Sequence, residues 1–330
     1  MSNIHLKEIL KKYEQKRLIA EENLEKRKKA IYLENSRLEE IDLELSKSAI
    51  SIAKQILSSG NKSLSSFIET KKLLKKEKED ILKSLGKNLA YLTHNYECSI
   101  CSDTGYVQTK TGSTFCNCLK QELFNIEYNK CNMGNLEKEN FSTFNIEFYS
   151  NIADKAKFDS DISPRKNILN IKKISEKFIS NFDNPDEKNL LFRGNSGLGK
   201  TFLCNSIANE ILKLNKTVLY QTAPVMLDEI INCRMGKSAS NILDNLLNVD
   251  LLIIDDLGTE TVNSMKFTEL FNVINSRLLN QNKKVTKTII STNLTLQQIY
   301  SMYDERIASR IVGYYNICKF FGDDIRFMSK

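Results

Sequence analysis

The chain has 330 residues, more than one simple core usually needs, so two or three domains are expected. A formal net charge of +7 is mildly basic, which admits a nucleic-acid partner without requiring one. No run approaches the roughly eighteen apolar residues of a membrane span, and Met1 to Leu10 lack a cationic stretch leading into an apolar core. The expectation is a cytoplasmic protein with no signal peptide and no membrane partner.

Residues 1–92 contain no proline and only two glycines, Gly60 and Gly86, and are dense in Lys, Glu, Leu and Ile. Most of these are good helix formers. A seven-residue spacing runs through Leu24, Ile31, Leu38, Leu45 and Ile52, and the companion positions fill from Ile41 through Ala49 to Ile56. Ser58-Ser59-Gly60-Asn61 breaks the pattern, and Ser63 to Leu85 predicts a second helix with Leu64, Phe67, Ile68, Leu74, Ile81 and Leu85 available for packing. The segment is expected to be a helical hairpin or coiled-coil arm, packing on itself, docking another protein, or both. Its lysines, interleaved with glutamates, suit a solvated face as well as a phosphate contact.

Of the eight cysteines, Cys98, Cys101, Cys116 and Cys118 cluster, whereas Cys131, Cys204, Cys233 and Cys318 stand singly. Two close thiol pairs enclosing fourteen residues can converge tetrahedrally on Zn²⁺. Asp103-Thr104-Gly105 is turn-prone. Tyr106–Gln108 and Ser113–Phe115 around Lys110-Thr111-Gly112 suggest a hairpin that returns the second pair to the first. Four sulfur ligands leave no open position, so a zinc here is structural, and His94 is a bystander. Unliganded thiols or an iron–sulfur centre are the alternatives. Residues 93–130 are taken as this module, and 131–166 as a linker and domain edge. There Phe141, Phe144, Ile146, Phe148 and Tyr149 form an aromatic patch that packs the edge or seats an adenine. Lys166 to Asn181 carries helical periodicity.

The most specific motif is Gly194-Asn195-Ser196-Gly197-Leu198-Gly199-Lys200-Thr201, a complete G-x-x-x-x-G-K-[ST] between a strand-like Asn189–Phe192 and a helix-like Phe202–Leu214. Backbone N–H groups of such a loop and the following helix N-terminus form an anion nest for ATP or ADP phosphates. Lys200 would reach the terminal phosphates and Thr201 would ligate Mg²⁺. Downstream, Thr217–Gln221 is strand-like, Ala223–Ile231 and Ser240–Leu247 are helix-like, and Leu251–Ile254 is a buried strand ending in Asp255-Asp256. A carboxylate at a strand's C-terminal end beside the phosphate loop can hold Mg²⁺, and its neighbour can orient the attacking water; Asp255 and Asp256 take these roles in turn. Lys287–Thr292 predicts a further strand, delivering Asn293 to sense the γ-phosphate. Arg306 and Arg310 share one helix face. Lys283, Lys284 and Lys287 suit either a DNA backbone or a solubilising loop. Alternating strands and helices predict an α/β, doubly wound, mostly parallel sheet over 167–330.

Gly194–Thr201, Leu251–Glu260, Ile290–Leu294, Glu305–Ile311 and the closing Phe320–Arg326 resemble the AAA+ ATPases of the bacterial helicase-loader group, DnaC- and DnaI-like proteins related to IstB. The resemblance covers about residues 140–330, and the cysteine pairs resemble the zinc-bearing N-terminal part of DnaI-like and phage-type loaders. It implies a P-loop AAA+ fold, Asp255 as Walker B residue, Asn293 as sensor 1, Arg310 as arginine finger and Arg326 as a weak candidate for a second sensor. Asp255-Asp256 stands where many AAA+ proteins have Asp-Glu, which is compatible with slow, switch-like turnover. The implied role is to bind the hexameric replicative DNA helicase through the N-terminal region and deliver it to single-stranded DNA, with self-association through ATPase domains. A transposition or phage helper recruiting a transposase or initiator, and a non-hydrolysing nucleotide-dependent adaptor, are the competing functions.

Overall fold

The structure, a computed structural model, describes residues 3–58, 64–110, 112–129, 138–237, 241–261, 263–280 and 284–327. It divides into two compact units, one of Glu8–Thr114 and one of Met1–Lys7 with Phe115–Lys330.

The helical segment holds α1 (Asn3–Glu34), α2 (Arg37–Ser58) and α3 (Leu64–Ser84). The seven-residue spacing does not continue through one helix, because the chain breaks at Asn35-Ser36. The Asn35 side chain accepts the Arg37 backbone N–H at 3.0 Å, a local bond that competes with the helical ladder and starts α2 afresh. Ile31, Leu38 and Leu82, one from each helix, are buried together, with Ile81 and Leu85 against them. Arg37 pairs with Glu77 at 2.8 Å, and Lys78 with Asp42, across α2 and α3. The Ile52, Ile56 and Phe67 side chains and the expected break at Ser59–Asn61 lie outside the described residues. The expected hairpin forms as β1 (Tyr106–Thr109) with β2 (Gly112–Phe115).

The larger unit continues with α4 (Asn117–Glu127), α5 (Lys155–Phe158), α6 (Pro164–Ser180), β3 (Asn189–Arg193), α7 (Lys200–Lys213), β4 (Val218–Thr222), α8 (Ala223–Arg234) and α9 (Ile242–Asn248). Then come β5 (Leu251–Leu257), α10 (Ser264–Asn280), β6 (Lys287–Thr292), α11 (Leu296–Tyr303), α12 (Glu305–Tyr314) and β7 (Tyr315–Lys319). The sheet order is β4-β5-β6-β3-β7, and every pairing is parallel. A parallel sheet is covered on both faces, so its strands read as unbroken apolar runs. Leu252 and Ile254 of β5 enter the core formed with α8 to α12, while Leu251 and Ile253 enter the core formed with α6 and α7.

Two charged side chains are built into this unit. Arg277 of α10, 2% exposed, donates to the carbonyls of Leu246 (2.6 Å), Val249 (3.0 Å) and Lys287 (2.7 Å) and to Thr288 Oγ1 (3.0 Å). Burial draws its guanidinium down to about 10, so it stays charged at neutral pH. Lys287, 0% exposed, donates to the carbonyls of Asn184 (2.8 Å) and Glu187. The expectation that Lys287 meets a DNA backbone is therefore corrected: it opens a central strand, and its ammonium is spent on backbone carbonyls. Lys284 pairs with Asp250 at 2.9 Å, and Lys283 lies outside the described residues.

Replacing Arg277 by Met keeps the apolar stem but strands several buried carbonyls. Unfolding of the full chain by urea should show a loss of about 3 kcal/mol or more. A variant within about 0.5 kcal/mol of the parent would mean that those carbonyls find other donors.

Candidate nucleotide site

β3 ends at Arg193, α7 begins at Lys200, and Gly194–Gly199 join them. Gly194 has φ 148° and Gly197 φ 74°. A Cβ on Gly194 would lie 2.3 Å from the Phe320 carbonyl oxygen, and one on Gly197 would lie 2.1 Å from an Asp324 carboxylate oxygen. The segment after β7 explains both glycines, because it runs against the loop. Phe320 N–H donates to the Arg193 carbonyl at 2.7 Å, and Ile325 N–H to the Gly197 carbonyl at 2.9 Å. From another direction, the buried Tyr149 hydroxyl donates to the Leu198 carbonyl at 3.2 Å.

Inside the loop, Lys200 Nζ donates to the carbonyls of Gly194 (2.6 Å) and Asn195 (2.8 Å) and to Asn293 Oδ1 (2.7 Å). Asn293 Nδ2 in turn donates to Ser196 Oγ at 3.3 Å. Burial draws the Lys200 ammonium below the usual lysine range, opposed by Asp256 and Asp255. An ammonium held by three neutral oxygens keeps its whole charge for an anion.

Asp255, 5% exposed, accepts from Tyr220 Oη (2.6 Å) and Thr201 Oγ1 (3.2 Å) on Oδ2, and from the Ser291 hydroxyl on Oδ1. The Asp256 backbone N–H adds 3.1 Å bonds to Asp255 Oδ1 and Ser291 Oγ. Asp256 has φ 54° at the β5 end, where the β5–β6 register shifts. That turn directs its carboxylate into the cleft, where burial, then Asp255, raise its affinity for a proton. Thr201 and Asp255, the pair assigned to magnesium, stand within hydrogen-bond distance of each other. Tyr220 and Ser291 escaped sequence reasoning. Tyr220 is the third residue of β4 and Ser291 the fifth of β6, and neither stands out from its strand by residue type or spacing.

A cavity of about 610 Å³ opens beside the loop, bounded by Lys200, Thr201 and Asp256 at one end and by Glu139, Phe148, Phe202 and Ile325 elsewhere. Of the aromatic patch, Phe148 faces this cavity. Phe144 lies 6.0 Å from Phe202 and 6.1 Å from Tyr149, centroid to centroid, so the patch both packs the edge and walls the cleft. Arg326 also borders the cavity and is paired with Asp324 at 2.5 Å.

Arg306 and Arg310 are not among the residues bounding this cleft. They project from α12 toward α10, where Arg310 Nε donates to Asn275 Oδ1 at 3.0 Å and Arg306 pairs with Asp304 at 2.9 Å. Within one copy, then, neither guanidinium lines the cavity that holds Lys200.

Cys98 and Cys101 fall in the smaller unit and Cys116 and Cys118 in the larger, and four free thiols are a donor set that suits zinc. Asp103 accepts the backbone N–H groups of Glu97 (2.9 Å) and Cys98 (2.8 Å), fixing the first turn, and Gly105 N–H points at Cys101 Sγ at 3.4 Å. His94 stacks on Tyr96 instead, and Cys204 and Cys318 are buried singly. Cys131 lies outside the described residues. Among the described residues no helix is long and apolar enough to cross a membrane.

Over this part of its length the chain is similar to known proteins. Residues 152–316 match the bacterial DnaA ATPase domain family. The replicative helicase loader DnaC of Escherichia coli (strain K12) is 25% identical over 183 residues, 53% of this chain and 73% of that protein. The chromosomal replication initiator protein DnaA of Buchnera aphidicola subsp. Cinara cedri (strain Cc) is 31% identical over 175 residues, 50% of this chain but 38% of that protein. A crystal structure of the DnaC helicase loader aligns with a TM-score of 0.45 and 20% identity, covering 57% of this chain and 99% of that one. With half of its length matched, including the phosphate loop, the paired aspartates and both arginines of α12, the chain belongs to the bacterial DnaA ATPase domain family, AAA+ proteins with a nucleotide-binding ATPase fold.

Proposed function

We propose that this chain is an ATP-dependent helicase loader, which binds the replicative DNA helicase hexamer through its N-terminal region and delivers it to single-stranded DNA. One observation carries this: Lys200 with Asn293, and Thr201 with Asp255, meet within the matched residues 152–316 of a chain that is 25% identical over 183 residues to a replicative helicase loader. The cysteine module and helical segment ahead of it supply a separate surface for a partner.

In this reading Lys200 exchanges its carbonyl contacts for the terminal phosphates of ATP, and the loop N–H groups hold the remaining oxygens. Thr201 and Asp255 hold magnesium, which neutralises phosphate charge when bound. Asp256, directed into the cleft, orients the attacking water, while Asn293, shared between Lys200 and Ser196, registers the γ-phosphate. Arg310 acts on the nucleotide of a neighbouring copy, since its own cleft does not contain it. Zinc in the four-cysteine cluster is structural, because no ligand position is left open.

Three outcomes follow. Lys200→Ala should weaken binding of ATP to the isolated chain by roughly ten- to a hundredfold, by calorimetric titration, because charge-assisted bonds contribute about 1.5–3 kcal/mol. Arg310→Ala should leave that affinity unchanged yet slow turnover about tenfold or more once copies associate; equal loss of monomer affinity would remove the trans-acting assignment. Metal analysis of the purified chain should find about one zinc per molecule, falling sharply in Cys116→Ser. The function itself is tested by mixing the full chain with its cognate replicative helicase hexamer. A defined complex lost on deleting residues 1–92, which spares α4 and the β4 edge it covers, supports it, and no complex with either ATP or ADP overturns it.

A further inference from the structure

α10 and α12 each present a pair of residues one turn apart: Phe271 and Asn275 on the first, Arg306 and Arg310 on the second. The Phe271 ring centroid lies 5.1 Å from the Arg306 guanidinium carbon and 5.7 Å from that of Arg310. Arg310 Nε donates to Asn275 Oδ1 at 3.0 Å. The two arginines differ in charge balance. Arg306 gives Nε and Nη2 to Asp304 at 3.2 and 2.9 Å, which neutralises it locally. Arg310 has no carboxylate partner among the described residues, and its terminal amino groups donate to nothing there.

We infer that Phe271 and Asn275 are positioning residues, which hold the Arg310 guanidinium with its terminal edge free for a phosphate oxyanion carried by a second copy of this chain. The inference rests on the reading of Arg310 as acting in trans. An aromatic face takes the flat side of a guanidinium, and an amide oxygen takes its Nε–H. What remains is the two-nitrogen edge that meets phosphate oxygens in parallel. Both partners are uncharged. A carboxylate at position 275 would orient the fork as well but would cancel the charge the fork is there to deliver, as Asp304 does for Arg306.

That contrast supplies the test. Asn275→Asp, Phe271→Leu and the conservative Phe271→Tyr are made in the full chain, each alone and combined with Arg310→Ala. ATP turnover is measured at concentrations where copies associate, alongside monomer ATP affinity and melting temperature. Asn275→Asp and Phe271→Leu should lower kcat roughly three- to tenfold at unchanged KM and ATP affinity. Phe271→Tyr should retain parental turnover, and none should lose more once Arg310 is Ala. A merely structural role predicts that Asn275→Asp, which keeps the acceptor, turns over like the parent; that result overturns the inference. So does an equal loss with and without Arg310. If Arg310→Ala alone leaves turnover unchanged, the trans-acting reading falls and takes this inference with it. If Arg310→Ala slows turnover and the other variants do not, only the positioning role is lost. Should Phe271→Leu melt early, Asn275→Asp, at a half-buried polar position, decides the matter alone.

Discussion

Asp255 sits where four elements meet, and its carboxylate is the point on which the ATPase unit turns. A buried carboxylate is costly unless its oxygens are satisfied. Here the donors come from β4 through Tyr220, from β6 through Ser291, from α7 through Thr201 and from the next backbone N–H. Each of these residues is therefore placed by the need to solvate one charge in the absence of water. The same requirement brings the phosphate loop and the paired aspartates together before any nucleotide is considered. Lys200 complements this arrangement from the other side, held by Asn293 at the end of β6.

From that centre a chain of contacts runs to the arginine helix. Beyond β5, Gly258 N–H donates to Glu260 Oε2 at 2.9 Å, and the Tyr303 hydroxyl bonds the other oxygen of this buried carboxylate. Tyr303 ends α11, and the next residue, Asp304, has φ 99° and caps α12 by accepting the Arg306 N–H at 2.9 Å. A non-glycine residue at that φ is held there by its surroundings at a cost of order 1–3 kcal/mol. The turn that aims Arg306 and Arg310 is thus fixed by the carboxylate that closes the loop after the paired aspartates. Side-chain positions at the cleft and on α12 share one hydrogen-bonded frame.

Much of this frame was legible in the chain because parallel strands leave plain signatures. Leu251–Ile254 and Lys287–Thr292 are uninterrupted β-type runs, and the glycines at 194 and 197 sit where only a residue without Cβ clears Phe320 and Asp324. The elements that escaped did so for physical reasons. The buried face of α10 carries Leu270, Val273, Ile274 and then Arg277, so a charge interrupts the apolar stripe at the position where it binds carbonyls. The start of α11 was written in a capping box, Thr295 with Gln298, but the helix has only 8 residues. Lys287 misled for the converse reason: a lysine at a strand start looks solvent-facing, and only the tertiary fold brings it the carbonyls of Asn184 and Glu187. Tyr220 and Ser291 were unreadable because their partner is defined by sheet order, which the sequence does not state.

Sheet order also leaves an edge strand to be managed. β4 is an edge strand, and an open edge invites another strand. Here side-chain amides occupy it instead. Gln121 accepts the Val218 N–H at 2.7 Å and donates to the Val218 carbonyl at 3.0 Å, while Asn129 accepts the Tyr220 N–H at 2.9 Å. Both amides come from α4 and the residues just after it, which explains why a helix outside the nucleotide motifs belongs to this unit. At the opposite edge, Asn167 of α6 donates to the Lys319 carbonyl at 2.8 Å at the end of β7. These contacts occupy the Val218 and Tyr220 N–H groups, so strand addition at those two positions has no donor to exploit.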